Sequence, residues 1–408
     1  MRPSLRVALF TDSFDEANGV GTFCQQFAAF TLQQNIPFLC VRPGSQRRAI
    51  YDQSLTTLEL KRSPAAFPID YGFRCDPLLS RYKNWVTDQL RLFRPDLVHI
   101  TGPGDFGILG FWAAHSLGMP RVASWHTNLH EYAGRRLNKL CSVLPTAWRN
   151  RIVRCGEDLS LDALMRFYRL PLFVFAPNKS MIQLLKERVH KPAYFLPHGV
   201  DTNLYSPTRR RPRNDSFCIG YVGRFTPEKS VRLFVDLEQR LLAAGRKDFR
   251  SVLVGEGTEK GWLKNNLRFA EFPGLLRGEA LAEAYAGMDV FVFPSRTDTF
   301  GLVLLEAMAS GVPVVVTPEA AVRVKVQHGV TGFVAQDIGG FTDSVLRLME
   351  NQALRREMSC AARQFACSKD WSEVFPQVYR AYEIGLKECG YPPGTDSLPR
   401  RKQEAQGE

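Results

Sequence analysis

The side chains with chemistry to offer fall in a few short stretches. Residues 290–317 carry two carboxylates eight positions apart, Asp298 and Glu306, with Gly301 between them. Glu306 is the single charge in Leu302–Ser310, a segment that is apolar on nearly every side. A carboxylate in such a segment costs several kcal/mol unless something pairs with it. The partner is either an arginine inside an ordinary core or a ligand. Gly301 favours a ligand, because it allows close approach to a helix start whose N–H groups and dipole attract an anion, phosphate above all. The pattern suits a phosphate over the helix start, flanked by carboxylates that accept hydrogen bonds from sugar hydroxyls.

A second stretch is Gly223-Arg224-Phe225-Thr226-Pro227-Glu228-Lys229. Arg offers a planar fork and Lys a point charge, and together they suit a diphosphate. A solvent-exposed pair of cations is the other reading of these residues alone. No cluster has metal-ligand spacing, so the two cations are the expected counter-charge for a leaving diphosphate. In the first half of the chain, His126 ends the apolar run Val122–Trp125, where a histidine is either a structural residue or a ligand contact. Asn18-Gly19-Val20-Gly21 follows the run Arg6–Phe10. Its glycine spacing does not match the dinucleotide motif, and a plain tight turn fits as well as a ligand loop.

These residues need elements to hold them. Val290–Phe293 is β-branched and aromatic, and Pro294 and Ser295 end it. Thr297–Thr299 offers cap side chains, Leu302–Ser310 is built of good helix formers, and Gly311 and Pro313 stop the helix. Val314–Val316 then returns as a buried strand. The same alternation runs along the chain. Strands are expected at Arg6–Phe10, Phe38–Val41, Leu97–Ile100, Val122–Trp125, Leu172–Ala176, Tyr194–Leu196, Phe217–Val222, Ser251–Val254 and near Phe272. Helices are expected through Gln34, over Phe106–Leu117, up to Val189, over Ser230–Ala244, Leu281–Met288 and Trp371–Lys387. Repeated βαβ units predict an α/β protein with two doubly wound parallel-sheet domains whose strand ends face a central cleft.

Residues 129–169 are helical and strongly basic, with Arg135, Arg136, Lys139, Arg149, Arg151, Arg154, Arg166 and Arg169 among Leu, Trp148, Phe167 and Tyr168. They read as a surface for anionic lipid or as a solvated helical face. Residues 207–215 are rich in Pro and Arg and are the linker candidate, with their arginines solvated. Residues 390–408 read as a disordered tail.

The composition is that of a globular chain: 408 residues, 45% apolar and 23% charged. Length suggests two or three domains. No run is long enough to span a membrane, and the start is too short for a signal peptide. Nine cysteines, an odd number without Cys-x-x-Cys spacing, fit free thiols in a reducing cytoplasm. A net charge of +12 invites acidic partners, but no zinc finger, recognition helix or aromatic RNA platform points to nucleic acid.

Together these motifs resemble the retaining nucleotide-sugar glycosyltransferases of the GT-B fold, in the large group called family 4 (group 1). Gly223 to Lys229 matches that family's G-R-x-x-x-E-K signature, and Pro294 to Pro313 matches P-S-x-x-E-x-F-G-x-x-x-x-E-A-x-A-x-G-x-P. His198-Gly199-Val200-Asp201 with Leu204-Tyr205-Ser206-Pro207 matches the G-V-D-x-x-x-F-x-P segment. Trp125-His126-Thr127-Asn128 with Glu131-Tyr132 is similar to the H-T-[DN] segment of the branch that glycosylates lipids, including α-mannosyl and sulfoquinovosyl transferases. The resemblance runs from the first strand to Trp371.

It implies an acceptor-side domain over residues 1–197 and a donor domain over 198–370, with a helix at 371–389 packing back toward the first. Arg224 and Lys229 would hold the donor's diphosphate and stabilise the charge developing on it, the kind of preorganised electrostatics that dominates many catalysed reactions. Glu306 would bind the ribose, Asp298 the sugar hydroxyls, and the amides of Phe300, Gly301, Leu302 and Val303 the phosphates. Gly223 would share in donor binding, His126 would sit near the transferred sugar, and Gly19, Val20 and Gly21 would let the first domain approach the diphosphate. The attacking hydroxyl would pass its proton to the leaving phosphate, with configuration retained and neither metal nor cofactor required. The donor would be a UDP- or GDP-sugar and the acceptor a lipid or saccharide, for a cytoplasmic protein either free or peripheral on the inner membrane face through residues 129–169.

Three departures stand out. Asp298 replaces a common Glu and shortens the reach by one methylene, which touches donor-sugar identity. His198 stands where Arg or Asn often precedes Gly-Val-Asp, and Asn178 where a Ser is usual. Two rival functions use the same residues: a GT-B epimerase or phosphorylase, and a catalytically silent protein that binds membrane or nucleic acid.

Overall fold

The computed structural model describes residues 5–16, 18–70, 73–126, 145–211, 216–296 and 301–391. The chain forms two compact units, Met1–Pro197 with Phe375–Glu408, and His198–Val374.

In the first unit, β1 (Val7–Phe10), β2 (Phe38–Gly44), β3 (Arg48–Asp52), β4 (Leu55–Lys61), β7 (Leu97–Ile100), β8 (Arg121–Ser124), β9 (Phe173–Ala176) and β10 (Ala193–Phe195) make one sheet. Its order is β10-β9-β8-β7-β1-β2-β4-β3. Every neighbouring pair is parallel except β3 with β4. β1, β7 and β9 are buried along their whole length, as strands covered by helices on both faces must be. A separate two-stranded ribbon joins β5 (Phe67–Asp70) to β6 (Phe73–Cys75). Helices Gly19–Gln33, Lys83–Phe93, Asp105–Ser116, Thr146–Tyr168 and Lys179–Val189 connect the strands. From Phe375 onward the helix Trp371–Glu388 belongs to this unit, and Phe375 stacks on Phe27 with ring centroids 4.6 Å apart.

In the second unit, β11 (Phe217–Val222), β12 (Phe249–Val254), β13 (Ala270–Gly274), β14 (Val290–Phe293), β15 (Val314–Val316) and β16 (Gly332–Val334) make an all-parallel sheet ordered β13-β12-β11-β14-β15-β16. The chain winds outward from β11 through β13, then returns to the other side of β11. β11 and β14 therefore flank the switch point, where loops diverge and ligands bind in doubly wound sheets.

The structure corrects several expectations. Residues 207–211 are no linker. Pro207–Arg209 is a 3-10 turn, Arg210 meets the buried Asp289 at 2.7 Å, Arg209 meets Glu279 at 3.3 Å, and Arg211 pairs with Glu283. Asp289 also accepts from the Cys218 amide, and a buried carboxylate of this kind requires a cation. The helix expected from Ser230 begins at Leu233, because Pro227–Lys229 is a 3-10 turn closed by Ser230 at φ 53°. The β3–β4 hairpin went unread: Gln53 turns it at φ 49°, without the Asn-Gly pair that marks such turns. The tail expectation for 392–408 and the first part of the basic segment, 129–144, lie outside the described residues. Among the described residues, no helix is long and apolar enough to cross a membrane.

Candidate functional site

The second unit's site begins where β14 ends. The helix after it spans Leu302–Ala309 and stops at Gly311, whose φ is 70°. Its N-cap is Gly301 at φ 71°, not a threonine, and a glycine has no side chain with which to cap it. Any other residue at 301 is strained by that φ, and a Cβ there would come within 2.9 Å of Val324 Cγ1. The amides of Leu302 and Val303 are thus the first helical donors, set at the carboxyl end of the sheet as the anion reading requires. Thr297, Asp298, Thr299 and Phe300 lie outside the described residues. Across the next turn, Thr317 Oγ1 donates to the Ser295 carbonyl at 3.0 Å and accepts from the Ala320 amide. One hydroxyl therefore ties the β14 turn to the β15 turn.

Among the described residues, Glu306 does not meet an arginine. The Tyr285 hydroxyl donates to its Oε2 at 2.7 Å, and the Tyr205 phenol stands close enough to help hold the carboxyl down. Burial pushes the Glu306 carboxyl above the ordinary glutamate value, and the two phenols offset only part of that rise. Tyr285 is fully buried on helix Gly278–Ala286, and its ring meets that of Tyr205 edge-on at 5.6 Å. The turn that delivers Tyr205 is built by Asp201, whose Oδ1 accepts from the amides of Asn203 and Leu204. Arg363 then binds the carbonyls of Thr202, Tyr205 and Ala309 at 3.0, 2.7 and 2.6 Å. It straps the Tyr205 turn to the helix that carries Glu306. Sequence reading named Tyr205 only within a family segment and Tyr285 not at all, and gave neither a role at Glu306, although a buried phenol usually finds a partner for its hydroxyl.

Beside this lies the loop after β11. Arg224 is exposed and Lys229 half-buried, with Lys229 Nζ 5.7 Å from the centroid of the Phe293 ring. Because β11 and β14 are neighbours and Phe293 ends β14, the Gly223–Lys229 loop and the chain at Pro294 leave adjacent strands of the sheet. A third loop locks the second one in place. Gly255, at φ 141°, lies so close that a Cβ would fall 1.9 Å from the Gly223 carbonyl oxygen. The Phe225 amide donates to the Glu256 carbonyl, and Glu259's amide to that of Phe225. Gly255-Glu256-Gly257 also escaped the sequence reading, although a Gly-x-Gly directly after a strand was the available signal.

In the first unit, Gly19, Val20 and Gly21 form the first turn of a helix, not a loop. Asn18 caps that helix by accepting from the Gly21 amide at 2.9 Å, which is why the loop closes earlier than expected. Gly19 and Val20 then carry its first two amides. A Cβ on Gly21 would meet the Glu16 and Ser13 carbonyls at 2.4 and 2.6 Å, so that glycine serves the packing of its own turn. His126 follows β8, buried against Phe23 at 5.3 Å between centroids, with Nε2 2.6 Å from Ser124 Oγ. Asn178 caps helix Lys179–Val189, which explains that residue locally.

The ends of β1 and β7 hold an acidic pair that the sequence did not announce. Asp105 Oδ1 lies 3.2 Å from Arg62 Nη2, and Asp12 Oδ1 lies 3.6 Å from it. Burial first, then the adjoining Asp105 carboxyl, push Asp12 well above the ordinary carboxylate range, against the Phe106 amide and Arg62.

Comparison with known proteins is consistent across both units. Residues 17–204 match the model of "Glycosyltransferase Family 4", and residues 216–351 that of "Glycosyl transferases group 1". A GDP-mannose-dependent alpha-mannosyltransferase of Mycolicibacterium smegmatis is 33% identical over 309 residues, 73% of this chain and 76% of that protein. A sulfoquinovosyl transferase of Arabidopsis thaliana is 28% identical over 75% of this chain and 60% of its own length. The solved sucrose-phosphate synthase of Thermosynechococcus elongatus superposes with a TM-score of 0.69 at 18% identity, covering 94% of this chain and all of that one. At that identity the likeness shows the fold, which is GT-B.

Proposed function

The chain belongs to the family 4 (group 1) glycosyltransferases, and from that membership we propose that it moves a hexosyl group from a UDP- or GDP-sugar to a lipid or saccharide acceptor, with retention of anomeric configuration. The observation that carries this reading is the pairing of two loops at the β11/β14 switch point. One offers Arg224 and Lys229; the other leads to the first helical amides, those of Leu302 and Val303, and then to Glu306.

In this reading the two cations and the helix amides hold the diphosphate and take up the negative charge that grows on it as the glycosidic bond breaks. Glu306, ionised and oriented by Tyr285 and Tyr205, accepts from the ribose hydroxyls. Asp298 and His126 are assigned to the transferred sugar, and the amides of Gly19 and Val20 to the diphosphate. The acceptor hydroxyl attacks the anomeric carbon, the bond to the diphosphate oxygen breaks, and the acceptor's proton passes to the leaving phosphate. Two positive side chains and the helix start supply the counter-charge, so the proposal includes no metal.

The surface for a lipid acceptor is assigned to helix Thr146–Tyr168. Its exposed residues Trp148, Ile152, Cys155 and Leu159 recur at intervals of four, three and four, which places them on one stripe, with Arg151 and Arg154 exposed alongside. An apolar stripe edged by arginines suits an anionic bilayer surface.

The test is a panel of UDP-, GDP- and ADP-sugars assayed for thermal stabilisation, followed by release of free nucleoside diphosphate with and without acceptor. GDP-mannose is the first donor to try, since the M. smegmatis relative is named for it. Stabilisation by one donor and acceptor-dependent release support the reading. Release without acceptor incorporation would point instead to an epimerase or phosphorylase.

A further inference from the structure

The first unit holds a line of four hydrogen-bonded side chains. Tyr382, on helix Trp371–Glu388, bonds its hydroxyl to Nδ1 of His99, on β7 and 283 positions earlier in the chain. His99 Nε2 lies 2.8 Å from Ser124 Oγ at the end of β8, and Ser124 Oγ lies 2.6 Å from Nε2 of His126. Tyr382, His99 and Ser124 are completely buried, and His126 is 2% exposed. The His99 ring is held between aromatic neighbours, Phe175 at 5.8 Å and Tyr382 at 5.7 Å.

The direction of this line follows from counting protons. A buried phenol has one proton to place, and leaving it without an acceptor costs about 1–3 kcal/mol. Nδ1 of His99 is the partner of Tyr382 among the described residues, so Tyr382 donates and Nδ1 accepts. Burial keeps the His99 imidazole neutral, with its pKa lowered to about 3. Its one hydrogen therefore sits on Nε2 and is donated to Ser124 Oγ. The serine, having accepted there, has its own proton for Nε2 of His126. Each link forces the next.

We propose that Tyr382, His99 and Ser124 are positioning residues that fix His126 in the Nδ1–H tautomer, so that this ring acts as a hydrogen-bond donor through Nδ1. The functional meaning rests on the reading that His126 meets the transferred sugar, where a fixed donor would select an acceptor oxygen. The tautomer does not depend on that reading.

The experiment uses the full chain with 15N-labelled histidine and no added ligand. Long-range proton–nitrogen spectra report which ring nitrogen carries hydrogen, and His99→Gln and His126→Gln assign the two signals by loss. The expected result is hydrogen on Nδ1 of His126 and on Nε2 of His99. Ser124→Ala cuts the line between the imidazoles, and His126 is expected to shift toward the Nε2–H form. Tyr382→Phe is expected to move the His99 Nδ1 resonance toward that of an unbonded nitrogen. Hydrogen on Nε2 of His126 in the unaltered protein overturns the proposal, as does an unchanged tautomer in Ser124→Ala. If Ser124→Ala fails to fold, the spectrum of the unaltered protein decides alone. Undiminished glycosyl transfer by His126→Gln would remove the sugar role while leaving the tautomer assignment standing.

Discussion

The hydroxyl of Tyr285 donates to Oε2 of Glu306 at 2.7 Å, and the Tyr205 phenol stands beside the same carboxylate on a turn that Asp201 and Arg363 hold in place. The charge expected to bind a ligand is thus already bonded to its own protein. Two phenols orient the carboxylate without neutralising it, whereas an arginine would have consumed both its charge and its lone pairs. A carboxylate held this way keeps acceptor capacity for hydroxyl groups.

Removing one donor tests that arrangement. Tyr285→Phe leaves a largely buried carboxylate oxygen short of a partner, which costs about 1–3 kcal/mol while the group is ionised. The group can escape that cost by protonating, so the loss should shrink on acidification. Thermal melts of Tyr285→Phe are expected to show a larger deficit at pH 8 than at pH 5, with weaker donor binding at neutral pH. A deficit that is the same at both pH values would mean that the phenol only fills space.

Glu306→Gln separates stability from binding. The folded pKa of Glu306 is raised by burial, above the value in the unfolded chain. Such a group penalises the fold wherever the unfolded chain ionises it, and the penalty is absent below the unfolded pKa. At pH 7 the amide variant is therefore expected to melt at or above the temperature of the unaltered protein. Donor binding should nevertheless fall, since a hydrogen bond to a charged group is worth about 1.5–3 kcal/mol, roughly 10- to 100-fold in affinity. In the unaltered protein, donor affinity should start to drop on acidification before an ordinary glutamate titrates. Isothermal titration across pH checks both statements, and retained affinity in the variant would remove Glu306 from the ribose.

How much of this was legible beforehand depends on the range of the interactions. Val290–Phe293, Leu302–Ala309 and Val314–Val316 could be read almost to the residue, because strand, positive-φ glycine and stop signals are all local. The cations of the Gly223–Lys229 loop were equally visible. Tyr205 and Tyr285 were not, since they reach Glu306 from 101 and 21 positions away, on a turn and a helix with no shared periodicity. His99 and Tyr382 illustrate the same limit, as does the Asp12–Asp105 pair at the ends of β1 and β7. The hairpin at residues 48–61 failed for a different reason. Its turn residue, Gln53, adopts a left-handed conformation that nothing in its own chemistry favours.

Lys229 should act on the rate more than on binding. In the proposed reaction the negative charge on the diphosphate grows as the sugar leaves, so a fixed cation gains most in the transition state. Removing one preorganised group of this kind costs about 10²–10³ in turnover. Lys229→Ala is expected to lower kcat by that order and to change donor KM much less. A thermal melt of Lys229→Ala beside the kinetics separates a loss of rate from a loss of folded protein. Steady-state kinetics at saturating acceptor decide the point, and an unchanged kcat would take Lys229 out of the mechanism.

Helix Thr146–Tyr168 offers a test of the acceptor side. Trp148 is 68% exposed and Leu159 73%, on the same stripe, while Arg151 and Arg154 are exposed beside them. Basic residues near an anionic bilayer contribute about 1 kcal/mol each. Reversing two of them replaces two attractions by two repulsions, about 4 kcal/mol in all by the same measure. Arg151→Glu with Arg154→Glu should therefore abolish sedimentation with vesicles containing anionic lipid at low salt. Trp148→Ser should weaken binding by an amount that salt does not alter, because apolar burial is not screened. The two variants together distinguish the mechanisms. Salt-sensitive loss in both would mean that charge alone draws the helix to the surface. Equal sedimentation of both variants and the unaltered protein would leave the stripe without a membrane role, and the acceptor would then be sought among soluble saccharides.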